Sequence, residues 1–182
     1  THDHMLPWGR LRDLPSQSHR ANVVVVTKCP IHMQPIDRRI VSNTLQLASY
    51  QHLFYSSIGY APIHLNGTPL IVTGIANPMP LLTHLQQQYP DTELLAYPDH
   101  HIFTPQDVNR IMQKAEQYVC VVTTEKDYMR LLQTPLVEQL GDKLHVIGIQ
   151  TNLGIDKEAF DRQILLYVSE NNRTKPNITT LQ

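Results

Sequence analysis

The chain has 182 residues, which is one domain's length, and its 15 Lys and Arg against 16 Asp and Glu give a formal net charge of −1 at pH 7. This balance argues against a general nucleic-acid-binding surface and against an acidic solvating tail. Hydrophobic residues make up 41% and charged residues 17%, so the chain is globular rather than disordered, and no apolar run approaches the ~18 residues that span a bilayer.

Short β-branched runs alternate with helical patterns in the first half of the chain. Val23–Thr27 is a continuous apolar run, of the kind that is buried on both faces of a parallel sheet, and residues 35–48 place their apolar side chains on one helical face. The Asn66-Gly67 pair predicts a turn, which favours a hairpin containing Tyr60–Leu65. The remaining predicted strands of this half are Leu53–Ile58 and Leu70–Ile75.

The alternation continues through the second half. The clearest helix start has Thr104 at the N-cap, Pro105 at N1 and Asp107 at N3. The other elements predicted are helix Pro80–Gln88, strand Thr92–Tyr97, strand Tyr118–Thr123, a helix through Tyr128, Leu131 and Leu132, a last strand Leu144–Ile149, and helix Ile155–Ser169. This order predicts an α/β fold, a Rossmann-like three-layer α/β/α arrangement with a mainly parallel sheet.

Two features concern the chain as a whole. Cys29 follows an apolar run and Cys120 lies inside one, so both are predicted to be buried, reduced thiols rather than a disulfide framework. The chain starts at Thr1 with no initiator Met and no signal-peptide pattern, which we interpret as a piece of a longer protein or a processed form.

Polar loops follow four of the predicted strands. Ligands of parallel sheets bind beyond the carboxyl ends of the strands, so we expect these loops to lie together at one sheet edge. A single polar loop needs no functional explanation, but four at one edge favour a binding site. The loops are Thr27-Lys28-Cys29-Pro30, Ala76-Asn77-Pro78, Pro98-Asp99-His100-His101 and Thr124-Glu125-Lys126-Asp127.

The most informative of these loops contains Asp99, His100 and His101. A carboxylate beside an imidazole can fix its tautomer and stabilise its imidazolium, as general acid/base catalysis requires. Two histidines after an aspartate could instead bind a metal, but adjacent side chains diverge and the helical i, i+4 spacing is absent. A purely structural Asp-His cap between strand and loop is the third interpretation.

The other charged residues of these loops have a structural and a functional interpretation each. Glu125 and Asp127 are typical of the first turn of a helix, where Lys126 could also meet a phosphate. Arg10 and Arg12 flank Leu11 and suit bidentate phosphate binding, although an exposed pair fits equally well. The chain contains no GxxxxGK[ST], no GxGxxG and no GxSxG, so it lacks the usual phosphate-cradling loops and an α/β-hydrolase is disfavoured.

Five segments, in order, resemble the tetraacyldisaccharide 4'-kinase family. Leu6–Asp13 is similar to the family's LLPxGxLRE segment, with Asp13 for the usual Glu, and Val23–Thr27 falls at its RADxVVV strand. The other three resemble its GIxNP, FPDHHxF (with Tyr97 for the usual Phe) and MTEKD motifs; they are Thr73–Pro78, Tyr97–Phe103 and Thr123–Asp127. The resemblance extends from Leu6 to about Gly148.

The resemblance implies a transferase that moves the γ-phosphate of Mg-ATP to the 4'-hydroxyl of a tetraacylated disaccharide 1-phosphate, giving lipid IVA, at the cytoplasmic face of the bacterial inner membrane. It implies two α/β lobes, of which the N-terminal lobe carries the P-loop, the acidic catalytic residues and most of the ATP and Mg²⁺ contacts. This chain corresponds to the C-terminal lobe alone: residues 1–20 a hinge or linker, 21–170 the lobe and 171–182 a flexible tail. Its expected partners are the other lobe and the lipid substrate, not nucleic acid.

The resemblance also implies residue roles. His100, or else His101, in the motif with Asp99, pairs with an N-terminal-lobe aspartate that acts as base on the acceptor hydroxyl. Arg12 contacts phosphate near the hinge, and three residues on loops facing the cleft bind ligand or order the loops; these are Asn77, Glu125 and Lys126. No metal site is expected in this chain.

Two other functions fit the residues. The alternative is a stand-alone α/β module that binds a small phosphorylated or sugar ligand without catalysis. A metal-dependent hydrolase built on Asp99 and its two histidines is a third hypothesis.

Overall fold

The computed structural model describes residues 4–6, 8–9 and 11–173, with side chains described as far as Glu170. Arg10 and most of the predicted tail lie outside these residues. Within them the helices and strands follow in the order β1 (Val23–Cys29), α1 (Pro35–Leu45), β2 (His52–Tyr60), β3 (Pro69–Thr73), α2 (Met79–Gln86), β4 (Glu93–Ala96), α3 (Pro105–Ala115), β5 (Cys120–Thr124), α4 (Glu125–Leu131), α5 (Leu136–Leu140), β6 (Leu144–Ile147), β7 (Ile149–Asn152) and α6 (Lys157–Arg173).

The chain divides into two compact units. The first comprises the residues up to Ile58 together with those from Thr151 onward, and the second comprises Gly59–Gln150. Each unit is organised around its own sheet. The sheet of the first unit has three strands in the order β1-β2-β7, and the sheet of the second unit has four strands in the order β4-β3-β5-β6. The strands predicted from the sequence are therefore divided between two sheets.

The second unit has the three-layer α/β/α arrangement expected from the sequence. Its four strands are parallel to their neighbours, and β3 and β5 are buried along their whole length. Alternate strand residues face opposite layers: Leu70 packs with α3, α4 and α5, whereas Ile71 packs with α2. A parallel sheet covered by helices on both faces brings the carboxyl ends of its strands to one edge.

Local capping explains the start of α3. The Thr104 side chain accepts a hydrogen bond from the Asp107 backbone N–H, and the Asp107 side chain accepts one from the Thr104 backbone. This reciprocal capping box satisfies two backbone donors that the helix leaves unpaired, and the predicted N-cap is confirmed.

The first strand does not have the environment that its sequence predicts. β1 pairs in parallel with β2, from Val23 opposite His52 to Cys29 opposite Ser57, and lies at the edge of the first unit's sheet. None of its residues is fully buried, and Val25 remains 37% exposed. The apolar run therefore predicted a strand correctly but not its burial on both faces. β1 has a neighbouring strand on one side only, which leaves its side chains more exposed. Cys29 is accordingly only half-buried, whereas Cys120 is buried as predicted; both are free thiols.

Two predicted strand segments differ from the structure because of tertiary contacts. Residues 61–65 form no strand and hence no hairpin, and the Leu65 N–H donates to the Tyr89 hydroxyl at 2.9 Å. The predicted last strand is interrupted at Gly148, whose carbonyl accepts a hydrogen bond from Ala61 N at 2.9 Å, so its two ends belong to different sheets. The short helix α5 has no counterpart among the predicted elements.

Candidate functional site

Three of the four polar loops meet at the carboxyl ends of neighbouring strands in the second unit. These loops follow β3, β4 and β5. The fourth segment, Thr27–Pro30, is not a loop but mostly the end of β1, which belongs to the other sheet, so the prediction of four loops at a single sheet edge is wrong. The candidate site therefore consists of residues of the second unit.

A buried carboxylate connects β3 to α4. Asp127 is 0% exposed, and its Oδ2 accepts hydrogen bonds from Thr73 Oγ1 at 2.5 Å, Gly74 N at 3.0 Å and Thr124 Oγ1 at 2.9 Å. Thr124 also caps α4, because its hydroxyl accepts from the Asp127 N–H at 3.2 Å. The helix-start interpretation of this loop is thus confirmed, but Asp127 points inward as a tertiary anchor.

Gly74 lets the loop after β3 approach the loop after β4. A Cβ atom at this position would lie 3.0 Å from the Pro98 carbonyl oxygen and 3.5 Å from both Asp127 Oδ1 and His101 Cβ. The Pro98 contact is tighter than an ordinary van der Waals distance, so a side chain here would push the two loops apart.

The two adjacent histidines point to different environments. His101 is 24% exposed, stacks on Tyr97 with 4.8 Å between ring centroids, and has its Nε2 2.9 Å from Asp107 Oδ2. Partial burial raises the pKa of Asp107, but the hydrogen bonds from Thr104 and His101 outweigh this and lower it. His101 thus joins the β4 loop to the start of α3, as a structural cap does.

His100 faces solvent. Its side chain is 76% exposed, and its backbone has a φ of 62°, in the left-handed region that non-glycine residues rarely adopt. The ring is bracketed by Asp99 Oδ2, 3.6 Å from Nε2, and by Arg130 Nη2, 3.2 Å from Nδ1. The exposed ring of the pair is therefore His100.

The cationic side chain of Lys126 lies beside Asp99. Lys126 Nζ is 2.8 Å from Asp99 Oδ1, and this hydrogen bond lowers the pKa of Asp99, which the nearby His100 lowers further. The carboxyl is thus ionised at neutral pH. The surface formed by Asp99, His100, Lys126 and Arg130, which we call the histidine cluster, combines one carboxylate with hydrogen-bond donors.

The remaining predicted site residues lie apart from these contacts. Asn77 is exposed and its Oδ1 accepts from Met79 N at 3.3 Å, at the start of α2. Glu125 is exposed, with its Oε1 3.5 Å from where a Gly148 Cβ would be. Arg12 is an exposed residue of the first unit. Their ligand-binding roles stay predictions.

Arg130 belongs to the site although the sequence pattern does not indicate it. Its Nη1 donates to Asp127 Oδ1 at 3.0 Å and to the Gly74 carbonyl at 3.3 Å. The available signal was its position three residues after Asp127, which puts both side chains on one face of a helix. That spacing did not indicate that His100, on the loop after β4, would lie within hydrogen-bond distance of Arg130.

Zinc is expected to leave the melting temperature of the protein unchanged. No group of three His, Cys, Asp or Glu side chains in the described part of the chain could hold a metal ion, and His101 is already bonded to Asp107. A ligand at 100 times its Kd stabilises the folded state by about 2.7 kcal/mol, which is measurable by calorimetry. A rise of several degrees in millimolar Zn²⁺ that His100→Ala abolishes would support the hydrolase hypothesis instead.

Comparison with known proteins identifies a family that matches most of the chain. The family model described as tetraacyldisaccharide-1-P 4'-kinase (LpxK) matches residues 1–169. Tetraacyldisaccharide 4'-kinase of Bacteroides thetaiotaomicron is 33% identical over 94% of this chain and 52% of its own length. The Flavobacterium johnsoniae protein of the same name is 35% identical over 93% of this chain and 51% of its own. The chain thus spans about half the length of the curated relatives it matches.

A solved structure has the same fold. The "apo" form of LpxK from Aquifex aeolicus, in complex with ATP, superposes with a TM-score of 0.51 at 16% identity, covering 91% of this chain and 48% of that one. At this identity the likeness establishes the fold alone.

Proposed function

This chain belongs to the tetraacyldisaccharide-1-P 4'-kinase family, and we propose that the full polypeptide transfers the γ-phosphate of ATP to the 4'-hydroxyl of a tetraacyldisaccharide 1-phosphate. The product is lipid IVA, an intermediate of lipid A biosynthesis. The observation that carries this proposal is the family match over residues 1–169, with curated relatives of the same name.

The histidine cluster suits phosphoryl transfer. This reaction depends on positioning and on stabilising the charge of the transferred group, rather than on covalent chemistry by the protein. His100, Lys126 and Arg130 present hydrogen-bond donors beside the ionised Asp99. We assign His100 the task of stabilising the base that activates the 4'-hydroxyl, since His101 is committed to Asp107.

ATP and Mg²⁺ belong, in this proposal, to the other half of the polypeptide. The solved relative is a complex with ATP. This chain contains no GxxxxGK[ST] loop, and its described residues offer no group of metal-ligating side chains, so they do not fit the phosphates and the metal ion. We propose the N-terminal P-loop lobe of the same polypeptide as the partner of this chain.

The proposed substrate is a lipid, which favours a location at a membrane. No helix among the described residues has the length and apolarity that crossing a bilayer requires. We propose peripheral association with the cytoplasmic face of the bacterial inner membrane, where a kinase that draws on cytoplasmic ATP meets its acylated acceptor.

Residues 1–182 alone are expected to show no kinase activity. Phosphoryl transfer needs a loop that cradles the β- and γ-phosphates and holds Mg²⁺, and the chain lacks that loop. The measurement is transfer of labelled phosphate from ATP to the tetraacyldisaccharide 1-phosphate, with the full polypeptide as positive control. Turnover by purified residues 1–182 would contradict the assignment of the nucleotide to the other lobe. Failure of both proteins, with calorimetric binding of a phosphorylated sugar, would favour the stand-alone module.

A further inference from the structure

Arg130 lies between the buried carboxylate and the exposed histidine of the second unit. Its Nη1 donates to Asp127 Oδ1 at 3.0 Å, and its Nη2 is 3.2 Å from His100 Nδ1. One planar guanidinium thus joins α4 to the loop after β4. Neither a family motif nor the sequence pattern singled out this residue.

The anchored side of the guanidinium is fixed by groups that cannot move independently. Asp127 is 0% exposed and is held by donors from Thr73, Gly74 and Thr124. Arg130 Nη1 also donates to the Gly74 carbonyl at 3.3 Å. Because the guanidinium is a rigid fork, fixing Nη1 on two acceptors also fixes the direction of Nη2.

This direction determines where His100 carries its proton. A guanidinium can only donate hydrogen bonds, so His100 Nδ1 must be the acceptor, and the neutral ring then carries its hydrogen on Nε2. The Nε2 atom is 3.6 Å from Asp99 Oδ2, beyond hydrogen-bond distance, and the ring is 76% exposed. The Nε2–H group is therefore available to an acceptor outside this chain.

The backbone of His100 is held in a conformation that residues with side chains rarely adopt. Its φ of 62° is strained for a residue with a side chain, and such strain persists where surrounding contacts impose it. Here the His100 N–H donates to Asp99 Oδ1 at 3.0 Å, and Lys126 Nζ holds the same oxygen at 2.8 Å. The charged groups facing the ring are thus Asp99, with Lys126 behind it, and Arg130, with Asp127 behind it.

We propose that Arg130 is a positioning residue that fixes the tautomer and the orientation of His100, so that His100 presents a hydrogen-bond donor, rather than a proton acceptor, to the reacting groups. The catalytic consequence of this inference rests on the proposed kinase function. The assignment of the tautomer does not, since it follows from contacts within the second unit.

Nitrogen NMR of the full polypeptide tests the tautomer directly. With histidine labelled at both ring nitrogens and His100→Gln used to assign the signals, His100 is expected to show a protonated Nε2 and a hydrogen-bonded, unprotonated Nδ1. In Arg130→Met the Nδ1 signal is expected to move to the position of a free imidazole nitrogen. A protonated Nδ1 in the wild-type protein, or no change in Arg130→Met, would overturn the proposal.

Kinetics test the positioning role. Arg130→Met is expected to lower kcat by about 10²-fold, the cost of misplacing a reacting group by about 1 Å, with a smaller effect on KM for ATP. In the His100→Ala background the same change should cost almost nothing more, because Arg130 acts through His100. Independent, multiplicative losses in the double variant would contradict the proposal.

Two further variants separate positioning from folding. Arg130→Lys keeps a cation near Asp127, but its single nitrogen cannot hold both Asp127 and His100, so it is expected to fold, to lose the Nδ1 bond and to lose activity. Lys114→Met is the control, because Lys114 Nζ lies 2.9 Å from Glu93 Oε2 in a surface ion pair away from His100. This change should alter neither the ring-nitrogen signals of His100 nor kcat. If the wild-type polypeptide transfers no phosphate, the proposed function fails, while the NMR result still decides the tautomer.

Discussion

Replacing His100 by alanine in the full polypeptide is expected to lower kcat by about 10²–10⁴-fold, the usual contribution of a general acid/base partner. The effect on KM for ATP should be smaller, because the nucleotide is proposed to be held by the other lobe. The physical basis is the exposed ring, bracketed by Asp99 and Arg130, whose Nε2–H points to the proposed role of stabilising the base for the acceptor hydroxyl. Steady-state rates with both substrates varied provide the measurement.

His101→Ala is the matched control for this prediction. The His101 ring packs on Tyr97 and bonds to Asp107, so its loss should lower stability more than kcat. If His101→Ala is the variant that abolishes turnover, the catalytic role belongs to that position. If both variants stay within a factor of about three of wild type, far below a general acid/base contribution, the motif is a structural cap.

Asp127→Ala is expected to destabilise the protein by about 3–5 kcal/mol, as breaking a buried ion pair does. The change leaves the donors of Thr73, Gly74 and Thr124 without their shared acceptor, in an environment that excludes water, and leaves Arg130 without its carboxylate. The free energy of unfolding from denaturant titration, monitored by circular dichroism, gives the value.

Asp142→Ala provides the comparison for Asp127. Asp142 is exposed in a short 3-10 helix, so its loss should change stability by no more than about 0.5 kcal/mol. A loss below about 1 kcal/mol for Asp127→Ala, the typical contribution of one hydrogen bond, would show that Asp127 does not anchor the strand ends as described.

Features governed by local physics could be predicted from the sequence. The buried run that forms β3 and the cap at Thr104 were both identified, since hydrophobic pattern and capping depend on neighbouring residues. The three-layer α/β arrangement of the second unit followed from the alternation of strands and helices.

Features that depend on tertiary contacts could not be predicted. The chain passes from the second sheet to the first at Gly148, between β6 and β7, and the sequence presents this position only as a glycine within an apolar segment. The distinction between His100 and His101 comes from one left-handed backbone angle and from the packing of His101 against Tyr97. Arg130 becomes part of the site only because α4 packs beside the loop after β4, and no local signal reports that approach.

Product analysis tests the central claim most directly. The full polypeptide is incubated with ATP and a tetraacyldisaccharide 1-phosphate, and the lipid is analysed by mass spectrometry and phosphorus NMR. The account predicts a product heavier by one phosphoryl group, with the new ester at the 4'-position, and a greatly reduced yield in His100→Ala. Consumption of ATP without this product, or phosphate on another hydroxyl, would contradict it.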